Sequence, residues 1–178
     1  APRDIEMERV SFGLSGTYEN GFDWDFHMTR SAEDNYGRQP DTGTSKLAAA
    51  IDGTGGPGGD ETFNLFDPTA NSQGLRDWLR SDQETWTNVV LSVVDYVVSG
   101  QVGNVDMAVG LQSRTEKYDL KRSANSVVEF DAAGNLTKPA DMIFLGGGTE
   151  SDASRRTNAV FMEASTDLSD QLELKGAI

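Results

Sequence analysis

The chain has 178 residues, enough for one ordinary domain, and no cysteine, so it can hold neither a disulfide framework nor a thiolate metal site. With 29 acidic against 15 basic side chains its formal net charge is −14, which argues against a nucleic-acid partner, since that requires a basic surface. Its most apolar run, VVLSVVDYVV at 89–98, is interrupted by Ser92 and Asp95 and is too short for a membrane helix, and nineteen glycines argue against a helical bundle.

In chain order, the first segment follows APRD, an opening that points to a mature product or a fragment with no visible signal peptide. RVSFGLSGTY at 9–18 alternates: Val10, Phe12, Leu14 and Tyr18 oppose Arg9, Ser11, Gly13 and Ser15, as in a strand with two different faces. A short Glu19-Asn20-Gly21 turn leads into FDWDFHM at 22–28. There Phe22, Trp24, Phe26 and Met28 share one face and Asp23, Asp25 and His27 the other. Two carboxylates and the only histidine on one face could bind a metal or move a proton. Strand alternation alone accounts for the same pattern, so the reading adopted is a solvated polar wall, with no catalytic, cofactor or metal role.

A connection of about fifty residues, 32–84, follows. Such length in a compact domain signals function or disorder. Its DGTGGPGGDE stretch at 52–61 is expected to lack regular structure and to form a mobile surface loop. It lacks the lysine and strand-to-helix context of a phosphate-binding loop, and the spacing of Asp52, Asp60 and Glu61 fits no EF-hand. NSQGLRDWLRSD at 71–82 carries Leu75, Trp78 and Leu79 at helical spacing, with Asn71 or Ser72 as N-cap. ETWTNVVLSVVDYVV at 84–98 is apolar on both faces, with Asp95 assigned to the polar side. After a short turn at 101–104, VDMAVGLQSRTEKY sets Val105, Met107, Val109 and Leu111 against Asp106, Ala108, Gly110, Gln112, Arg114 and Glu116. A second long loop spans 119–153 and ends in FLGGGTESD. TNAVFMEAST at 157–166 puts Val160, Met162 and Ala164 on one face but Phe161 with Glu163 on the other. After a turn at 167–170, QLELKGAI sets Leu172, Leu174 and Ile178 against Glu173, Lys175 and Ala177.

The chain therefore reads as all-β: about six antiparallel up-and-down strands over 1–178, with short turns at one end and long loops at the other. Two architectures share this pattern. A soluble sandwich or barrel turns its apolar face inward, whereas an outer-membrane barrel turns it to lipid. Short turns at one rim, strands of about ten residues or more, and aromatics near strand ends (Tyr18, Phe22 and Trp24 by a turn, Trp86 by a long loop) match the second.

Several segments, taken in order, resemble the barrel portion of bacterial TonB-dependent outer-membrane receptors. GFDWDFHMTRS is similar to a strand that follows a periplasmic turn, and FNLFDP at 63–68 to a recurring patch in an extracellular loop. VSGQVGNVDMAVGLQSRTEKY at 98–118 resembles a strand-turn-strand ending in the Arg114 and Glu116 pair. FLGGG with RRTNAVFMEASTDLSDQLELKGAI resembles a loop and the next hairpin, with its step at Phe161 and Glu163. No plug domain, energy-coupling segment or terminal aromatic has a counterpart in the chain. Six strands are fewer than the roughly eight of the smallest barrels, and the receptors belong to the 22-stranded plugged class, so the chain corresponds to about a quarter of a partial transmembrane β-barrel.

The resemblance implies a bacterial outer-membrane location and transport of a scarce small-molecule or glycan ligand such as a siderophore, cobalamin or a glycan. The implied partners are outer-membrane lipid, the remainder of the barrel, its plug and an energy-coupling inner-membrane complex; no enzymatic activity and no cofactor are expected. Phe63, Phe66 and Trp78 are candidate ligand-facing residues at the outer mouth, with packing of the loop on itself the favoured alternative, and Arg114 and Glu116 are candidates on the lumen wall, where a ladder of charges is the favoured alternative. A soluble, secreted β domain binding glycan or another macromolecule through its long loops is the competing reading. A hydrolase using Asp23 and Asp25 is a third.

Overall fold

The computed structural model describes residues 2–178. The elements are β1 (Arg3–Thr17), β2 (Asp23–Gln39), α1 (Thr44–Ile51), a 3-10 turn (Pro68–Ala70), α2 (Gln73–Leu79), β3 (Gln83–Val102), β4 (Val105–Arg122), β5 (Glu129–Phe130), β6 (Leu136–Lys138), β7 (Ser151–Ser169) and β8 (Leu172–Ala177). The fold is all-β and mostly antiparallel. Six strands form one sheet in the order β1-β2-β3-β4-β7-β8, and β5 pairs with β6 in a separate hairpin. Among the described residues the large sheet stays open, with β1 and β8 at its edges. The strands outrun the sequence alternation. β2 continues to Gln39 and β4 to Arg122, and β7 begins at Ser151, so the long connections are shorter than 32–84 and 119–153. Backbone pairing, which any side chain permits, carries the strands past the end of the apolar pattern.

The first short turn is closed by the Tyr18 and Gly21 amides, which donate to the carbonyls of Phe22 at 2.7 Å and Tyr18 at 2.9 Å. Gly21 sits at φ 85° and Gly103 of the next turn at φ 66°, a left-handed conformation that glycine adopts without steric cost.

The chain divides into two compact units. The sheet unit comprises Glu6–Glu33, Asn88–Tyr118 and Ala153–Ile178. Side-chain contacts fix its two faces strand by strand. On the polar face Ser11 meets Thr29 at 3.0 Å, and Thr17 donates to Asp23 at 2.7 Å. The His27 ring lies over Gly13, where a Cβ would come within 2.9 Å of Nδ1. Gln112 donates to Asp95 at 2.8 Å, which puts Asp95 on the polar side of β3. Arg155 binds Glu116, and β8 pairs Lys175 with Ser165. On the opposite face the Trp24 ring covers Gly16, the hydroxyls of Tyr18 and Tyr96 are bonded, and Phe22 covers Gly100. Val10, Phe12, Leu14, Met28, Val109, Leu111, Val160, Met162 and Leu174 are exposed, Val10 and Val160 at 71% each. The ambiguous 157–166 segment resolves by geometry. Ser113 donates to Asn158 at 2.9 Å, setting Asn158 with Val160 and Met162, while Phe161 turns to the polar face, where buried Gly110 leaves room for its ring.

The loop unit comprises the N-terminal stretch to Ile5, Asp34–Thr87 and Asp119–Asp152. It has its own small core, in which Ala50, Leu75 and Leu79 are buried and Leu47, Phe63 and Trp78 pack around them. α2 forms where the helical spacing predicts it, with Ser72 as N-cap accepting from the Leu75 amide at 2.9 Å. α1 was not predicted from the sequence. The Gly-rich stretch holds no helix or strand, as its composition predicts, but it is pinned to its neighbours. Gly55 and Glu61 exchange amide-to-carbonyl bonds of 2.9 Å in both directions, and the Glu61 carboxylate accepts from Ser72 Oγ at 2.5 Å. A Cβ at Gly55 would lie 2.6 Å from Ala50 Cα, so the missing side chain lets this stretch close over the core.

Candidate functional site

FNLFDPTAN at 63–71 is a built loop. The Asn64 side chain accepts from the amides of Phe66 at 3.0 Å and Asp67 at 2.9 Å. Buried Asn71 accepts from the Asn64 amide at 2.7 Å and donates to the carbonyls of Asn64 at 3.1 Å and Pro68 at 3.2 Å. Asp67 accepts from the amide and hydroxyl of Thr69, which hold its carboxyl below the usual range. Each buried polar atom is thus matched to a backbone partner, which fixes the loop. The outcome is a Phe66 ring that is 98% exposed on an ordered backbone. Phe63 and Trp78, the other two candidates for the mouth, pack against the core, as the favoured reading of loop packing expects. The Lys46 ammonium sits 5.9 Å from the Trp78 ring centroid. Their placement follows from helical spacing in α2 and from the Phe63 amide, which donates to the Ala50 carbonyl at 2.8 Å.

A second exposed aromatic comes from the other long loop. Phe144 is 80% exposed, and its amide donates to both oxygens of Asp41, at 3.2 and 3.1 Å, with the Leu145 amide adding a bond of 2.8 Å. Asp41 is buried and also accepts from Thr42 at 2.6 Å. Burial alone would push its pKa up, but the surrounding backbone amides outweigh that and hold it below the ordinary value. In return Asp141, from the same stretch as Phe144, accepts from the Ser45 amide at 2.7 Å and hydroxyl at 2.6 Å, at the start of α1. Those bonds depress the pKa of Asp141 as well. FLGGG was visible in the sequence as a loop end. Nothing local pointed to Asp41 or Asp141, whose partners in the opposite loop lie 96 to 104 residues away.

Arg114 and Glu116 are joined on the polar face of the sheet unit at 2.5 Å, and Arg155 of β7 closes on the same carboxylate. The Arg155 side chain is 73% exposed, so this wet cluster contributes little to stability. Asp23, Asp25 and His27 line the same face, and Asp23 is bound to Thr17. The polar side chains Asp23, Gln101, Asp106, Glu163, Ser165 and Lys175 are among those lining a concavity of about 760 Å³ in the sheet unit. Among the described residues no group of three or more His, Asp or Glu is placed to hold a metal ion, Asp52, Asp60 and Glu61 included.

No protein-family model matches this chain, and neither a curated protein nor a solved structure matches it.

Proposed function

We propose that this chain is a stretch of wall from an outer-membrane receptor barrel of the TonB-dependent type, taking up a scarce ligand such as a siderophore, cobalamin or glycan. The observation that carries the reading is the division of the sheet unit. Polar side chains from β2, β3, β4, β7 and β8 line a concavity, while the apolar side chains of the other face stand uncovered. In water an uncovered apolar face of this kind needs a cover, and hydrocarbon supplies one without any protein partner. Strand length supports it. β1, β2, β3, β4 and β7 run to 15, 17, 20, 18 and 19 residues, more than the roughly 9–11 that a tilted strand needs to cross a bilayer. So do the aromatic clusters: Tyr18 with Trp24, ring centroids 6.4 Å apart, and Tyr36 with Trp86, 5.6 Å apart, are the amphipathic rings that interfaces collect. The open edges at β1 and β8 are where the remainder of the barrel would pair.

In this reading the ordered loops carrying Phe66 and Phe144 face outward and make first contact with ligand, while Asp23, Asp25, His27, Arg114 and Glu116 belong to the wetted wall. Topology tests it. Protease added to intact cells displaying the protein should cut near Gly58 and leave the turns at Asn20, Gly103 and Ser169 intact. Cutting near Gly58 only after the outer membrane is permeabilised would contradict it. A chain that stays monomeric in water without detergent would favour the secreted β domain instead.

A further inference from the structure

We infer that Asp41 and Asp141 are positioning residues that clasp the two long loops into one body and so present Phe66 and Phe144 together. The clasp is reciprocal. Asp41, from the first loop, holds the amides of Phe144 and Leu145 in the second. Asp141, from the second, holds the amide and hydroxyl of Ser45, the second residue of α1, in the first. The N-cap of α1 is Gly43, which has no side chain to offer, so Asp141 supplies the cap from the other loop. Further bonds tie the halves: the Ile143 amide donates to the Thr42 carbonyl at 3.1 Å, and the Asn125 side-chain amide donates to the Ser81 hydroxyl at 2.7 Å and the Asp82 carbonyl at 3.0 Å. From α1 the connection runs on through Ala50 to Phe63 and so to the Asn64-Asn71 loop that fixes Phe66. Neither loop can then open without freeing the amides that the other holds, and both exposed phenylalanines sit on the same continuous hydrogen-bonded framework.

The role in ligand presentation rests on the outward-facing reading of these loops; the clasp itself does not, and its test reads the loops directly. Hydrogen exchange, followed by mass spectrometry on the whole 178-residue chain, should show Asp41→Ala raising exchange not only at Phe144 and Leu145 but also at Ser45. Asp141→Ala should raise both sets as well. Losing hydrogen bonds to a charged acceptor corresponds to about tenfold faster exchange or more. The double variant should add little to either single one. Asp41→Asn and Asp141→Asn, which keep an acceptor oxygen, should recover part of the protection. Exchange at the Phe66 and Asp67 amides should rise too, whereas the Asp131 and Asn135 pair of the separate hairpin should not move. Effects confined to each aspartate's own partners, summing in the double variant, would overturn the proposal. So would unchanged exchange at Ser45 in Asp41→Asn and Asp41→Ala alike. Failure of the cell-surface protease test with the coupled exchange intact would remove the receptor reading and leave the clasp.

Discussion

The ring of Phe161 fills the space that a side chain at residue 110 would take: a Cβ on Gly110 would lie 2.0 Å from Phe161 Cζ. The contact explains why an aromatic stands on the polar face of β7 and why a buried glycine stands opposite it on β4. Overpacking a close contact of this kind costs typically 1–3 kcal/mol. Gly110→Val should therefore lower the stability of the folded sheet by about that amount, and Phe161→Ala in the same chain should recover much of it. Equilibrium denaturation of the complete barrel after refolding into liposomes measures both. Equal losses in the single and double variants would mean that residue 110 is intolerant for a reason other than the ring.

The acids and histidine of β2 lead to the opposite expectation. Asp23, Asp25 and His27 lie on the polar face with Thr17 and Gly13. Asp23→Asn, Asp25→Asn and His27→Gln, singly or together, leave no buried charge unpaired and should each change stability by within about ±0.5 kcal/mol. A triple variant that folds normally but loses ligand uptake would turn this face from a wall into a site.

The clasp aspartates make the loop unit sensitive to acid. Asp41 and Asp141 both have folded-state pKa values depressed below the ordinary 3.8, Asp41 by backbone amides that outweigh its burial and Asp141 by the Ser45 hydroxyl and amide. A depressed carboxyl stabilises the fold fully above its unfolded value and loses that contribution as pH falls through the lower folded value. Loop-unit stability should therefore be flat with respect to these two groups from neutral pH down to about 5 and fall below 3.8. Urea denaturation followed through Trp78, with the other two tryptophans replaced, reads it. In Asp41→Asn with Asp141→Asn the low-pH loss should shrink, and an undiminished loss would assign it to other carboxyls.

Much of the sheet was legible because its signal is local. The strict alternation in 105–118 and 22–28 names both faces, and Asp95, ambiguous in an apolar run, is settled only by its bond to Gln112 across the sheet. Ser72 and the Leu75, Trp78, Leu79 spacing announce α2. By contrast α1 has no side-chain cap of its own and is completed by Asp141, so its start cannot be read from its own residues. The order in the Gly-rich stretch likewise depends on Ala50 and Ser72 outside it. Phe66 stood out in the sequence, whereas Phe144 acquires its meaning from Asp41, far away along the chain. For α1 and Phe144 the missing signal is a polar partner supplied from a distant segment.

In the receptor reading the apolar face of the sheet meets hydrocarbon. The most direct measurement places single spin labels or fluorophores at Phe12, Phe26, Val109 and Leu174 on one face and at Asp25, Gln112 and Lys175 on the other, in the full-length receptor reconstituted into bilayers with a lipid-borne quencher. The first set should be quenched and the second spared. Phe26→Arg should then weaken the inserted state by about 2–4 kcal/mol near the midplane and less near a rim. Equal quenching of the two sets, or quenching of the second set alone, would contradict the claim, because a register one residue off reverses every side chain.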